Sequence, residues 1–217
     1  MLTLPTAQNK VVANAGFLAA ILIHNLTYPL SAAGGIWPAL FYCFYATIFV
    51  VATWALTDNQ TLRALVGGAG LAVFIAGLLN SYAPSDGAAL AVYLTSIAYH
   101  LGMVVVLARY TFGTKTVMTD VLISATSLYL VIGSGFAAVL AFIEWCVPGS
   151  FVASSGAAID WQQMVYFSYV TLTTLGYGDI TPVGFYAQSF VAFEAIGGTL
   201  YTVMLLSRLV GLHAGSG

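Results

Sequence analysis

The chain is written as long apolar runs broken by short polar punctuation. A helix needs about 20 predominantly apolar residues to cross a hydrocarbon core, and six runs approach that length, at residues 11–28, 38–56, 62–81, 88–111, 120–145 and 183–212. Turn-forming residues separate them: Pro29 with Gly34 and Gly35, Asp58 with Asn59, Pro84 with Asp86 and Gly87, then Gly113. A seventh stretch, 160–179, is too short and too polar for a full crossing and reads as a re-entrant hairpin. The pattern therefore predicts an all-α polytopic membrane protein with six transmembrane helices and one re-entrant element before the last of them.

Composition and charge sharpen this picture. Of 217 residues, 60% are hydrophobic and 6% charged, which leaves too little polar surface to cover a soluble domain. Five basic residues cannot supply the phosphate contacts of a nucleic-acid binder. Cys43 and Cys146 lie in separate apolar runs without ligand-like spacing, so they read as small packing residues and no cofactor is expected. Short cytoplasmic loops carry the excess of Lys and Arg. With both termini in the cytoplasm, Lys10, Arg63, Arg109, Lys115 and Arg208 all fall on that side, and Asp86, Glu144, Asp160 and Asp179 on the other. Trp37, Trp54 and Trp145 stand at span ends, where indole rings favour the interface. Lys10, the first run and Ser31-Ala32-Ala33 also have the layout of a secretory signal; the run is read here as the first span.

The re-entrant segment carries the chemistry. Asp160 suits a helix N-cap, and the helix that follows would point its partially negative C-terminal end into the membrane, where it favours a cation. The chain must then return as an extended filament, and bare backbone at membrane depth is tolerated only where protein encloses it or it lines a water-filled path. Gly176 and Gly178 can take left-handed backbone conformations without steric cost, as a row of carbonyls aimed at one axis requires. Four such filaments would offer stacked oxygen rings that replace the hydration shell of potassium, with the Thr174 hydroxyl at the inner end.

The run Thr173-Thr174-Leu175-Gly176-Tyr177-Gly178-Asp179 resembles the filter signature of the potassium channel superfamily, and the likeness extends over about residues 120–212. Within that superfamily the chain looks most like small bacterial channels with a pore module behind four extra spans. The resemblance implies a homotetramer of this chain and three identical subunits among membrane lipids, in a prokaryotic inner membrane, with K+ as permeant ion. It also implies ion coordination by Thr174, Leu175, Gly176, Tyr177 and Gly178, with Tyr177 bracing the filter and Thr173, Asp179, Tyr166 and Val170 supporting it. Under it, residues 1–112 form a four-span module, 113–118 a cytoplasmic linker and 119–217 the pore module: outer helix 120–145, pore helix 160–172, filter 173–179, inner helix 183–212. Leu175 stands where the family more often has Val, which changes packing but not the carbonyl that faces the ion. Tyr166 stands where many relatives have Trp, and its phenol can also donate to Asp179.

Gly197-Gly198 falls where relatives carry a hinge glycine; close helix packing through small residues is the alternative. Glu194, one turn earlier, is ionisable at membrane depth and so a functional candidate, either protonated and bonded to the pore helix or ionised and attractive to cations. Arg208 suits snorkelling to head groups. The fourth run lacks the repeated basic residues of a voltage sensor, with Arg109 only at its end. His24, Asn25 and His100 call for interhelical hydrogen bonds, or pH sensing, and Gly67, Gly68 and Gly70 for close helix approach. His24, His100, Glu144 and Glu194 share no spacing that catalysis or metal binding needs, so an enzyme is not expected. A poorly selective or non-conducting pore subunit remains the alternative function, and a potassium uptake transporter a remoter one.

Overall fold

The computed structural model describes residues 7–32, 34–113 and 119–214. The expected cytoplasmic linker, apart from Gly113, lies outside these, and with it Lys115. By internal contact the chain divides into two units, one ending at Val131 and the other beginning at Ile132.

The first unit is built from α1 (Ala7–Thr27), a short 3-10 turn (Tyr28–Ala32), α2 (Trp37–Leu56), α3 (Gln60–Tyr82), α4 (Asp86–Gly113) and the first half of α5 (Thr119–Cys146). Each of the first three helices packs on the next, as short connections dictate. Local chemistry sets the ends. Asn59 caps α3 by accepting from the Leu62 N–H at 3.0 Å. The Ser85 hydroxyl accepts from the Ala88 N–H at 3.2 Å, and the α4 carboxylate Asp86 sits in the first turn, favourable to the helix dipole. That pair starts α4 two residues ahead of its apolar run.

Aromatic rings fill the core of this unit. The His24 ring lies 4.6 Å from both Phe41 and Tyr45, and its Nδ1 has no hydrogen-bond partner. His100 is bonded instead. Its Nδ1 lies 2.7 Å from the Ser96 carbonyl, which can only accept, so Nδ1 carries the proton and Nε2 is left to accept from the Tyr45 hydroxyl at 3.5 Å, the outer limit of such a bond. Of the three clustered glycines, a side chain at Gly70 alone would touch a neighbour, the Tyr99 ring at 3.3 Å, while Gly67 and Gly68 have open space. The tight approach is at Gly77, where an added Cβ would enter the ring of Tyr42, itself buried in α2. Tyr110 on α4 donates to the Asp120 carboxylate on α5, and Thr111 meets Ser124 at 3.0 Å.

The second unit holds the rest of α5, a strand β1 (Phe151–Ala153), α6 (Trp161–Leu172), a strand β2 (Ile180–Pro182) and α7 (Phe185–Ala214). The strands pair antiparallel with Phe151 opposite Pro182, a departure from the all-α expectation. Glu144 closes the turn before β1, its two carboxyl oxygens accepting from the N–H groups of Gly149 at 2.8 Å and Phe151 at 3.0 Å. Its role is thereby structural.

Five helical segments among the described residues are long and apolar enough to cross a membrane: Lys10–Ser31, Gln60–Tyr82, Asp86–Gly113, Thr119–Cys146 and Phe185–Arg208. The 20-residue α2 stands where the second of the six runs was expected. Cys43 and Cys146 are exposed free thiols, not core packing residues.

Filling the Gly77 contact should overpack the α2–α3 seam at a cost of about 1–3 kcal/mol. Thermal unfolding in detergent should show Gly77→Ala well below the parent and Gly67→Ala at or above it.

Candidate functional site

The site begins with the ends of α6. Asp160 accepts from the Gln163 N–H at 2.9 Å while the Gln163 side chain accepts from the Asp160 N–H at 3.1 Å, so two orphan donors are satisfied reciprocally. Asp160 was legible as a cap; Gln163, three residues on, completes the box and was overlooked. The 12-residue helix buries Met164, Phe167, Ser168, Val170, Thr171 and Leu172 and is about 18 Å long.

At its C-terminus the chain folds onto its own helix. The N–H groups of Thr173, Thr174, Leu175 and Gly176 donate to the carbonyls of Tyr169 (3.1 Å), Thr171 (2.9 Å), Val170 (2.9 Å) and Val170 again (3.3 Å). The Thr173 hydroxyl donates to Tyr169 at 2.6 Å. Orphan carbonyls of the helix end are thus matched by filament donors. Val170 contributes through its carbonyl, which holds two successive N–H groups.

Beyond this tether the backbone alternates. Thr174 (φ 59°), Gly176 (φ 57°) and Gly178 (φ 76°) are left-handed, and no such angle occurs at Leu175 or Tyr177 between them. The glycines adopt this freely; at Thr174 it carries strain of about 1–3 kcal/mol, sustained by the hydrogen bonds on either side. Among the described residues no hydrogen bond reaches the carbonyls of Thr173 through Gly178. Residues 173–178 are exposed on the single chain, so this row of free oxygens is open to a partner from outside it. Uncharged hard oxygens suit alkali or alkaline-earth cations rather than transition metals, and no group of His, Cys, Asp and Glu suited to a metal occurs among the described residues.

The outer end of the filament is pinned by Asp179. Its Oδ2 accepts from the Tyr166 hydroxyl at 2.7 Å, its Oδ1 from the Ile180 N–H at 3.1 Å, and its carbonyl from the Ser154 N–H at 2.7 Å. The phenol at position 166 therefore spans the gap to the carboxylate. Leu175 and Tyr177 are 56% and 66% exposed on the single chain.

Two residues of α7, one turn apart, face two of α6, also one turn apart. An added Cβ on Gly198 would strike the Leu172 carbonyl and lie 3.0 Å from that residue's Cδ1, whereas Gly197 has nothing within 4 Å. The pair thus splits: Gly198 serves close packing, and α7 runs through both as one continuous helix. Glu194 is fully buried. The Ser168 hydroxyl reaches its Oε1 at 2.5 Å and the Gly133 carbonyl of α5 at 2.7 Å, while Oε2 has no partner. Tyr169 meets the Ser134 hydroxyl at 2.9 Å. Ser168, Gly133 and Ser134 were not singled out from sequence; a serine amid apolar residues on a short buried helix was the available signal.

Residues 116–212 match the model of a family described as ion channel. A stretch of 82 residues is 38% identical to two pore potassium channel c of Oryza sativa subsp. japonica, covering 38% of this chain and 16% of that relative. No solved structure matches.

A methyl group on Gly198 should cost about 1–3 kcal/mol by overpacking against backbone that cannot yield. In melts of the purified protein Gly198→Ala should fall clearly, and Gly197→Ala should not; equal loss would place both glycines in the same role.

Proposed function

We propose that the chain, whose residues 116–212 match a family described as ion channel, is one subunit of a homotetramer that conducts K+ passively and selectively across a membrane. The observation that supports this most is the unpartnered carbonyl row of residues 173–178, produced by left-handed backbone at every second position. One filament offers one oxygen at each level, and a dehydrated potassium ion needs several. Fourfold closure around an axis supplies them, as cyclic symmetry does whenever one surface patch must meet its own copies. The Thr174, Leu175, Gly176 and Tyr177 carbonyls then bind K+ in stacked rings, with the Thr174 hydroxyl inside and Gly178 at the outer mouth. The α6 C-terminus, aimed along the same path, adds favourable potential for a cation.

The outer surface of the second unit is consistent with assembly. Phe185, Tyr186, Phe193, Ile196, Leu200 and Met204 of α7 are all exposed on the single chain, a larger apolar face than a soluble monomer leaves uncovered. Lipid and three copies of the chain would cover it. In this reading α2 completes six spans, both termini lie in the cytoplasm, which the distribution of basic residues supports, and the resemblance to small bacterial channels implies a prokaryotic inner membrane. The first four helices form a module without a charged voltage sensor, and the protein has no catalytic role.

The test is cation flux through the purified protein in liposomes under potassium and sodium gradients, with barium as blocker. Potassium-driven, barium-sensitive flux should be abolished by Gly178→Asp, which puts a side chain on a left-handed residue of the filament. Equal sodium flux, or none, would favour a poorly selective or silent subunit.

A further inference from the structure

The contacts of Ser168 pose a problem of proton counting. Its oxygen lies 2.7 Å from the Gly133 carbonyl and 2.5 Å from Glu194 Oε1. A backbone carbonyl has no proton and a serine hydroxyl has one. Two oxygen–oxygen contacts this short are two hydrogen bonds and need two protons. If the serine gives its proton to Gly133, the second must sit between Ser168 and Glu194, and only the carboxyl can bring it. Hydrogen positions follow from such networks rather than from heavy atoms, and this network closes in one way: Glu194 donates to Ser168, and Ser168 donates to Gly133.

Electrostatics points the same way. Ser168 and Glu194 are both fully buried, and an isolated carboxylate there is very costly unless a cation pairs with it. The ion pair seen among the described residues, Arg63 with Asp58, is elsewhere. From residue 132 onward the sequence has one Lys or Arg, Arg208, and one His, His213. Arg208 follows Glu194 by 14 residues on the same helix, or about 21 Å along its axis. From α6 the carboxyl faces the Ser168 hydroxyl, and through it the Gly133 backbone of α5. Its Oε2, unpartnered, suits the carbonyl oxygen of a neutral acid, which leaves less unsatisfied than a carboxylate would.

We infer that Glu194 is present as a neutral carboxylic acid whose proton, relayed through Ser168, ties the inner helix to the pore helix and the outer helix behind the filter. Glu194 is a positioning residue: it touches no filter carbonyl and acts through α6, whose last turn holds the filament by the Val170 and Tyr169 carbonyls. Gly198 against Leu172, one turn further along both helices, is the apolar half of the same clamp. A neutral Glu194 adds no fixed charge to the conduction path, so it holds the filter's geometry without attracting cations. The proton assignment stands on hydrogen-bond counting and burial; its consequence for flux rests on the channel reading.

The experiment is infrared spectroscopy of the liposome-reconstituted protein at neutral pH, with flux measured on the same preparations. The carbonyl stretch of a protonated carboxylic acid, above the amide I band, should be present in the parent, absent in Glu194→Gln, and moved to higher frequency in Ser168→Ala, which removes its acceptor. Glu194→Gln, a neutral donor of similar shape, should keep potassium-selective flux, and Glu194→Leu should lose selectivity or flux. An identical carboxylic-acid band in parent and Glu194→Gln would mean an ionised carboxylate and would overturn the proposal. So would loss of selectivity in a Glu194→Gln protein that assembles like the parent. A parent that shows the band without flux would sink the channel reading and leave the proton where it is placed here.

Discussion

The structure depends on where the backbone hydrogen-bonding groups of one short filament go. Backbone donors and acceptors in a packed protein each need a partner or an opening to one. This chain resolves the conflict by separating them. The N–H groups of residues 173–176 return to the last turn of α6, and the carbonyls of the same filament are left free. The separation requires left-handed backbone at alternate residues, which two glycines adopt readily and Thr174 under strain. Several other contacts of the second unit hold that arrangement in place.

Support comes from polar contacts at the outer end and packed ones behind. Asp179 joins the filament to α6 through Tyr166 and to the ribbon through Ser154. The ribbon in turn is closed by Glu144. Behind the filament, α7 lies so close to α6 that position 198 has room only for hydrogen, and the carboxyl one turn earlier enters the same seam. Gly133 on α5 receives the Tyr169 ring with as little clearance. Small residues, hydroxyls and one acid occupy this interior because helices in lipid gain little from apolar surface alone and associate through close contact and hydrogen bonds.

The first unit uses a different vocabulary. Its interior is aromatic, with Tyr45, Tyr99 and His100 within reach of one another. His24 was expected to bond across helices, yet packs its ring against Phe41 and Tyr45 with Nδ1 unpartnered, whereas His100 makes the interhelical contact through Tyr45. Imidazole serves both ends because it is at once a flat ring for stacking and a polar group.

The sequence by itself determined the order of the helices, since lipid demands long apolar runs and polar turns between them, and it marked the 173–179 filament through glycines that can take left-handed backbone. It marked Asp160 as a cap because capping is local, and Asn59 only as part of a turn. It did not reveal the ribbon, whose two three-residue strands are far apart in the chain and stable only as a pair. It left Gly197 and Gly198 equivalent, and Glu194 open between ionised and neutral. Those choices were decided by tertiary structure: which glycine meets a carbonyl, and which hydroxyl meets the acid, depend on the rotation of α7 about its axis, set by contacts with residues more than 20 positions away.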